Sequence, residues 1–199
     1  ILHLVDALRS VPGIMLVQTG STGGLTSLYM RGGERGYTRV LLDGVPLNEP
    51  GGDFDFSQLS THDVERVEIV RGPGSVLYGS DAVSGVIQIF TRSGRSSGWR
   101  SYARGGTFGT SALDLSAEGG DRSRRGAISA SRYRTSGIYA FNNAYDRIAV
   151  TASAAGNLGG GTESRLLVRY GEDGVHIPTD GTGAVVDRNA AQSTQRALL

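Results

Sequence analysis

The sequence predicts two unlike folds in series: a small α+β domain over residues 1–94, then a run of antiparallel strands over 95–199 with the texture of a transmembrane β-barrel wall. Three observations carry that prediction. Up to about Thr91, short apolar runs are separated by Gly and Pro. Beyond Ser93, segments of about nine to eleven residues alternate apolar with polar side chains between turns, the per-segment sign of a barrel. Glycine makes up 31 of 199 residues without the three-residue period of collagen, so turns and close backbone approaches are frequent throughout.

In the first half, His3–Ser10 fits one short helix. Leu4, Val5, Leu8 and Val11 fall at helical spacing and Pro12-Gly13 ends it. Strand-like runs follow at Ile14–Val17, Ser27–Met30, Arg39–Leu42, Val64–Val70 and Val86–Phe90. Asp43-Gly44, set between Leu42 and Val45, is a hairpin-type turn signal. Ser75–Gly79 reads as a single helical turn closed by glycine.

In the second half, the expected strands are Trp99–Gly106, Thr110–Gly119, Gly126–Arg134, Tyr145–Ala155, Glu163–Gly171 and one beginning near Thr194. On the fourth, Ile148, Val150, Ala152 and Ala154 share one face and Arg147, Thr151 and Ser153 the other. On the fifth, Leu166, Val168 and Tyr170 oppose Glu163, Arg165 and Arg169. A soluble sandwich alternates in the same way, and is the commoner source of such a pattern. Three details favour a barrel. Trp99, Phe108, Tyr133, Tyr145 and Tyr170 gather near strand ends, as interfacial girdles do. The apolar faces are modest and rich in Ala. Of the expected outer connections Thr107–Gly109, Thr135–Ala144 and Glu172–Ser193 the last two are long, whereas both inner turns, Gly120–Arg125 and Gly156–Thr162, are short.

Composition narrows the function. The charge is nearly balanced, with 20 basic and 19 acidic residues, so nucleic acid is not an expected partner. All 20 cations are Arg, which removes Schiff-base and Ser-Lys chemistry. Cysteine is absent and His3, His62 and His176 are scattered, so thiolate nucleophiles and grouped metal ligands are not expected. An enzyme is disfavoured, and no cofactor or resident metal is expected. Gly74–Ser80 has the glycine spacing of a phosphate loop without its lysine. Asp173, Asp180 and Asp187 are acids of the last long connection, but their spacing matches no calcium loop.

Several ordered motifs then become specific. They are Leu8-Arg9-Ser10-Val11-Pro12-Gly13-Ile14, Tyr29-Met30-Arg31-Gly32, Val40-Leu41-Leu42-Asp43-Gly44-Val45-Pro46-Leu47, and the long run from Val64 through Arg71-Gly72-Pro73-Gly74 and Leu77-Tyr78-Gly79-Ser80-Asp81-Ala82 to Ile89. In this order they resemble the plug domain of TonB-dependent outer-membrane receptors, followed by the first strands of their barrel. The resemblance is strong over about 1–92 and one of texture beyond, and within the family it is nearest the cobalamin and siderophore receptor branch. It implies an α+β plug inside a transmembrane barrel of about 22 strands, of which about six are present here. It further implies a longer receptor in the Gram-negative outer membrane. There the barrel contacts lipid, an amino-terminal box outside this chain pairs with TonB, and the cargo is a metal chelate or cobalamin-like solute.

The same resemblance assigns sites. Gly24, Leu25, Thr26, Glu34, Gly52, Asp53 and Phe54 fall in the plug's apical loops, where a solute would be met; Glu34 and Asp53 place carboxylates where the cobalamin receptor has neutral polar groups. Arg31 and Arg71, each followed by Gly at the end of a strand-like run, belong to the plug–barrel charge cluster. The rival expectations are a receptor with mainly a signalling role and a soluble β-rich adhesin module.

Overall fold

The computed structural model describes residues 3–59, 61–94, 96–121, 123–157, 162–180, 182–185 and 187–198. Contacts divide the chain into two compact units. One joins Ile1–Thr19 to Gly24–Thr91, and the other joins Gly20–Gly23 to Arg92–Leu199.

In the first unit, helix α1 spans Leu4–Leu8 and buries Leu4, Val5 and Leu8. It is shorter than the expected His3–Ser10, because the chain turns at once into the Pro12-Gly13 break, where Gly13 has φ +82°. Strands β1 (Ile14–Gln18) and β2 (Thr26–Met30) form an antiparallel pair. The main sheet contains β3 (Thr38–Leu42), β4 (Val45–Pro46), β5 (Val64–Arg71) and β6 (Gly85–Thr91) in the order β4-β3-β6-β5. Its β3–β6 pair is parallel and the others antiparallel. At the β3–β4 turn Asp43 and Gly44 have φ +51° and +90°, as a two-residue primed turn requires. The Asp43 carboxylate also accepts from the Thr91 amide at 3.0 Å, tying the turn to the end of β6. Leu28, Met30, Val40, Leu42, Val86, Ile87 and Ile89 are buried, and they supply the unit's apolar core. A one-turn helix, α2 (Ser75–Tyr78), lies between β5 and β6.

The second unit is a six-stranded antiparallel meander in which each strand pairs with its sequence neighbours. Its strands are β7 (Gly98–Gly105), β8 (Ser111–Gly120), β9 (Arg124–Thr135), β10 (Tyr145–Asn157), β11 (Glu163–His176) and β12 (Ala191–Leu198). The last long connection is shorter than expected. Glu172–His176 are strand and pair with Ala191–Gln195, so strand takes up both ends of the expected connection. These polar strand ends are hard to tell from loop by hydropathy, and only pairing reveals them. Much of the turn between β10 and β11 lies outside the described residues.

The meander's alternation resolves into faces of opposite chemistry. Register places Val168, Ala152, Ile128, Ala117 and Trp99 in one cross-strand row and Tyr170, Val150, Ala130 and Leu115 in the next, all on one face. That face is solvent-exposed in the chain: Ile128 is 56% exposed and Leu166 55%, whereas Arg147 and Thr151 on the opposite face are each 4% exposed. A soluble sandwich buries its apolar face, and burying the charged one instead is the arrangement of a wall that meets lipid on its outside. The apolar band ends where Arg132, Arg134, Asp146 and Glu172 share the outward face, with Arg134 directly opposite Asp146. One expectation is corrected. Tyr133 and Tyr145 are not part of an outward girdle, because both lie on the inner face with ring centroids 5.7 Å apart. Their odd–even position matches Arg147, not Ile148, and alternation outweighs the general preference of aromatics for the interface.

Candidate functional site

Three loops of the plug converge on one another. The Thr26 amide donates to Asp55 Oδ1 at 2.9 Å, and the same oxygen caps the short 3-10 turn Phe56–Gln58 by accepting from the Ser57 amide at 2.9 Å. Arg35 Nε lies 2.9 Å from Asp53 Oδ2. Gly52 has φ +86° and approaches Gly36 so closely that a Cβ there would stand 2.6 Å from the Gly36 carbonyl oxygen, which only glycine tolerates. Asn48 acts as a strand surrogate along β3: its Oδ1 accepts from the Val40 amide at 2.7 Å, and its Nδ2 donates to the Thr38 and Gly52 carbonyls at 2.9 and 2.7 Å. The loops before β2, before β3 and after β4 therefore form one pinned platform.

The expected ligand-facing residues all lie on this platform, at different depths. Leu25 and Glu34 are exposed, Gly24 and Asp53 are half-buried, and Thr26, Gly52 and Phe54 are buried. Phe54 packs edge-on against Phe56 with centroids 5.0 Å apart. Glu34 precedes the 3-10 turn Arg35–Tyr37, and among the described residues its carboxylate has no ion pair. The anchors Asn48 and Asp55 were not among the expected site residues. Asp55 carried a signal, an Asp just ahead of a short helical turn with Ser two residues on; nothing local marks the reach of Asn48 to Val40 and Thr38, eight and ten residues back along the chain.

Arg31 and Arg71 meet at the turn that follows α1. Arg31, at φ +52°, donates its amide to the Gly13 carbonyl at 2.9 Å, and Arg71 Nη1 donates to the Pro12 carbonyl at 3.0 Å. Both side chains are exposed, and among the described residues neither is in an ion pair with a carboxylate. Two cations at adjacent strand ends, each secured by the same turn, present guanidinium forks with capacity to spare.

The second unit carries its own inward cluster. Tyr145 Oη donates to Asp173 Oδ1 at 2.9 Å, and Arg147 Nε lies 3.5 Å from the same oxygen. Ser21 and Gly23 join this cluster: Asn143 Nδ2 donates to Ser21 Oγ at 2.5 Å, and a Cβ on Gly23 would stand 2.2 Å from the Tyr145 ring. Farther along, Glu118 is shared by Arg92 at 3.8 Å and Arg100 at 2.6 Å. In the β8–β9 turn, hydrogen bonds from the Ser123 hydroxyl and then the Arg124 and Ser123 amides hold the Asp121 carboxyl at about 2. Asp180 is likewise held below the usual carboxylate range by the Thr182 hydroxyl and amide. The three acids Asp173, Asp180 and Asp187 thus serve separate local contacts, and among the described residues no group of three metal-ligating side chains occurs.

The platform lies in a stretch of the chain that known proteins share. The sequence profile of the TonB-dependent receptor plug domain matches residues 2–86. That part of the chain is similar to the plug of TonB-dependent receptors. It is 43% identical over 94 residues to the vitamin B12 transporter BtuB of Vibrio vulnificus, a stretch covering 47% of this chain and 16% of that transporter. The siderophore receptor PiuA of Acinetobacter baumannii superposes with a TM-score of 0.70 at 20% identity, over 87% of this chain and 24% of PiuA. The ferripyoverdine receptor of the Pseudomonas aeruginosa outer membrane superposes with a TM-score of 0.71 at 17% identity, over 87% of this chain and 23% of that receptor. These likenesses show the fold of a plug followed by barrel strands, and the chain spans about a quarter or less of the length of these relatives.

Proposed function

We propose that the receptor takes up a cobalamin-like solute or a siderophore-type metal chelate across the outer membrane, energised by TonB. The observation that carries this reading is the pinned three-loop platform, which lies within the plug-domain match over residues 2–86 of a chain that shares 43% identity over 94 residues with a vitamin B12 transporter. Gly24, Leu25, Thr26, Glu34, Gly52, Asp53 and Phe54 divide the work by depth. Thr26, Gly52 and Phe54 hold the loops in place, and Leu25 and Glu34 meet the solute. Because Arg35 pairs with Asp53, Glu34 is the acid that tunes selectivity: an exposed carboxylate without an ion pair among the described residues repels an anionic catecholate chelate. The plug, taken as 1–94, is held in the barrel begun by 95–199 through Arg31 and Arg71 facing wall carboxylates.

The test is equilibrium binding of cobalamin, a hydroxamate chelate and a catecholate chelate to the full-length receptor, repeated with Glu34→Gln and Asp53→Asn. Cobalamin or the hydroxamate is expected to bind tightest, and Glu34→Gln to narrow the gap to the catecholate more than Asp53→Asn does. A catecholate bound tightest, with neither variant changing the order, rejects the selectivity argument. Arg31→Ala and Arg71→Ala are expected to impair uptake while leaving membrane insertion intact; unchanged uptake in both removes the charge-cluster role.

A further inference from the structure

The outward face of the wall carries a notch at the end where the β8–β9 turn lies. Register puts Gly119, Gly126, Ala154 and Leu166 in one cross-strand row on that face, and Arg124, Gly156 and Ser164 in the next row toward the turn. On the other side of the glycine row, where the apolar band begins, stand Trp99, Ala117 and Ile128. Residues of the first two rows line an open groove of about 640 Å³. Glycine weakens a strand, and a fold requires it only where the backbone turns left-handed or a neighbour approaches closely. Neither demand applies to Gly119 and Gly156. Neither has a positive φ, and an added Cβ would meet its nearest atom at ordinary distances of 3.4 Å and 3.6 Å. The missing side chains leave room for a ligand.

Arg124 closes the groove at its turn end. Its stem runs beside Gly156, where an added Cβ would stand 3.9 Å from Arg124 Cγ. Arg124 is exposed, and among the described residues its guanidinium forms no ion pair. It feels the charge of Asp121, but that carboxylate is engaged by its own turn: Oδ1 accepts from the Ser123 amide, the Ser123 hydroxyl and the Arg124 amide at 2.6, 2.7 and 2.8 Å. Arg125, which also lines the groove, pairs with Glu163. Among the described residues no acidic side chain lines it.

We propose that this groove binds one glycerophospholipid, with its phosphate at Arg124, its glycerol over Gly119 and Gly126, and its acyl chains running onto Ile128 and Trp99. Depth favours this occupant. Trp99 is 78% exposed on the outward face, and an indole so placed sits at the level of the lipid headgroups. The glycine row lies two residues, roughly 7 Å, nearer the turn, and Arg124 lies beyond it. Chemistry favours it too: a groove with a guanidinium at one end and aliphatic groups at the other matches a molecule with a phosphate head and apolar tails. The opposite end of the same face lacks this polarity, because Arg132 and Arg134 share it with Asp146 and Glu172. A lipid held at this position fixes the depth of the wall in the bilayer. The inference rests on the outward face meeting lipid and is independent of which solute is carried.

The experiment uses the full-length receptor in a maltoside detergent, photolysed with a phosphatidylglycerol that bears a diazirine close to its glycerol, and the crosslinks are located by peptide mass mapping. Crosslinks are expected to concentrate in 117–128 and 152–166. Their yield should fall about fivefold in Arg124→Gln and recover in Arg124→Lys. Gly119→Leu, which fills the notch, should lower it as well, and Arg134→Gln at the opposite end should not. Equal yield in Arg124→Gln and Gly119→Leu, or labelling spread evenly along the outward face, overturns the proposal. So does a diacylglycerol carrying the same diazirine that labels as well, or inorganic phosphate that displaces the probe as well as unlabelled phosphatidylglycerol does. No labelling at any outward residue rejects the wall's lipid-facing reading, and this inference with it.

Discussion

Strand β6 of the plug and strand β10 of the wall are built from similar residues and bury opposite things. In β6, a central strand, Val86, Ile87 and Ile89 are at most 1% exposed, because partners lie on both sides of it and apolar groups leave water there. In β10 the buried set is Tyr145, Arg147, Ala149, Thr151 and Ala155, while Ile148 and Val150 point out. The difference teaches that burial in this molecule is set by what lies beyond each face. The plug organises itself against water, and the wall is organised for hydrocarbon outside and a hydrated interior, where charge must be paired and hydrogen-bonded.

That contrast can be broken at either strand. The largest effect is expected in the plug: Ile89→Ala should cost about 2–5 kcal/mol, since it removes buried methylene groups and leaves a cavity in a packed sheet. Urea-dependent proteolysis of the plug measures it, and a loss below about 1 kcal/mol would mean the site collapses freely. In the wall, Val150→Arg should cost about 2–4 kcal/mol if the residue sits near mid-membrane, less if it lies nearer an interface. Unfolding from lipid vesicles reads this, with Thr151→Ser on the opposite face as the comparison. If Val150→Arg folds into vesicles as well as the parent, the outward face does not meet lipid.

The smallest expected effect sharpens the inner edge of the wall. Asp121 is depressed from 3.8 to about 2, so its contribution to the β8–β9 turn is fully present above pH 3.8 and fades as the pH falls toward 2. Hydrogen exchange at the Arg124 amide, which donates to Asp121 Oδ1 at 2.8 Å, should quicken over that interval relative to other turn amides, and Asp121→Ala should remove the pH dependence. No corresponding change is expected in the plug core, whose buried side chains are mainly uncharged.

Much of this molecule is local and therefore readable in the chain. Helix α1, the Asp43-Gly44 turn, five of the six plug strands and four of the six wall strands fall within a few residues of where spacing and turn chemistry put them, because alternation and positive-φ demands act over only a few residues. The sixth, β12, begins earlier than expected, and β11 runs farther, because the residues that extend them are polar and become strand only by pairing with each other. The site was legible in part. The loops were recognised by motif, but Asn48 and Asp55, which pin them, act on partners that include Thr38, Val40 and Thr26, and no pattern within the loop itself marks such a reach.

By itself the sequence determined the order of elements, the two faces of every wall strand and the plug's signature, since each is written in side-chain period or in glycine at a fixed place. Which face is buried was undetermined, because a sandwich and a barrel wall share one alternation. The tertiary structure decided it by putting Arg147 at 4% exposure beside Asp173 while Ile148 stays 41% exposed. It also decided that Tyr78 turns into the plug and Val76 and Leu77 away from it. A single turn of helix has one side toward its core, and only the packing of Leu41, Ala82 and Val86 fixes which side that is.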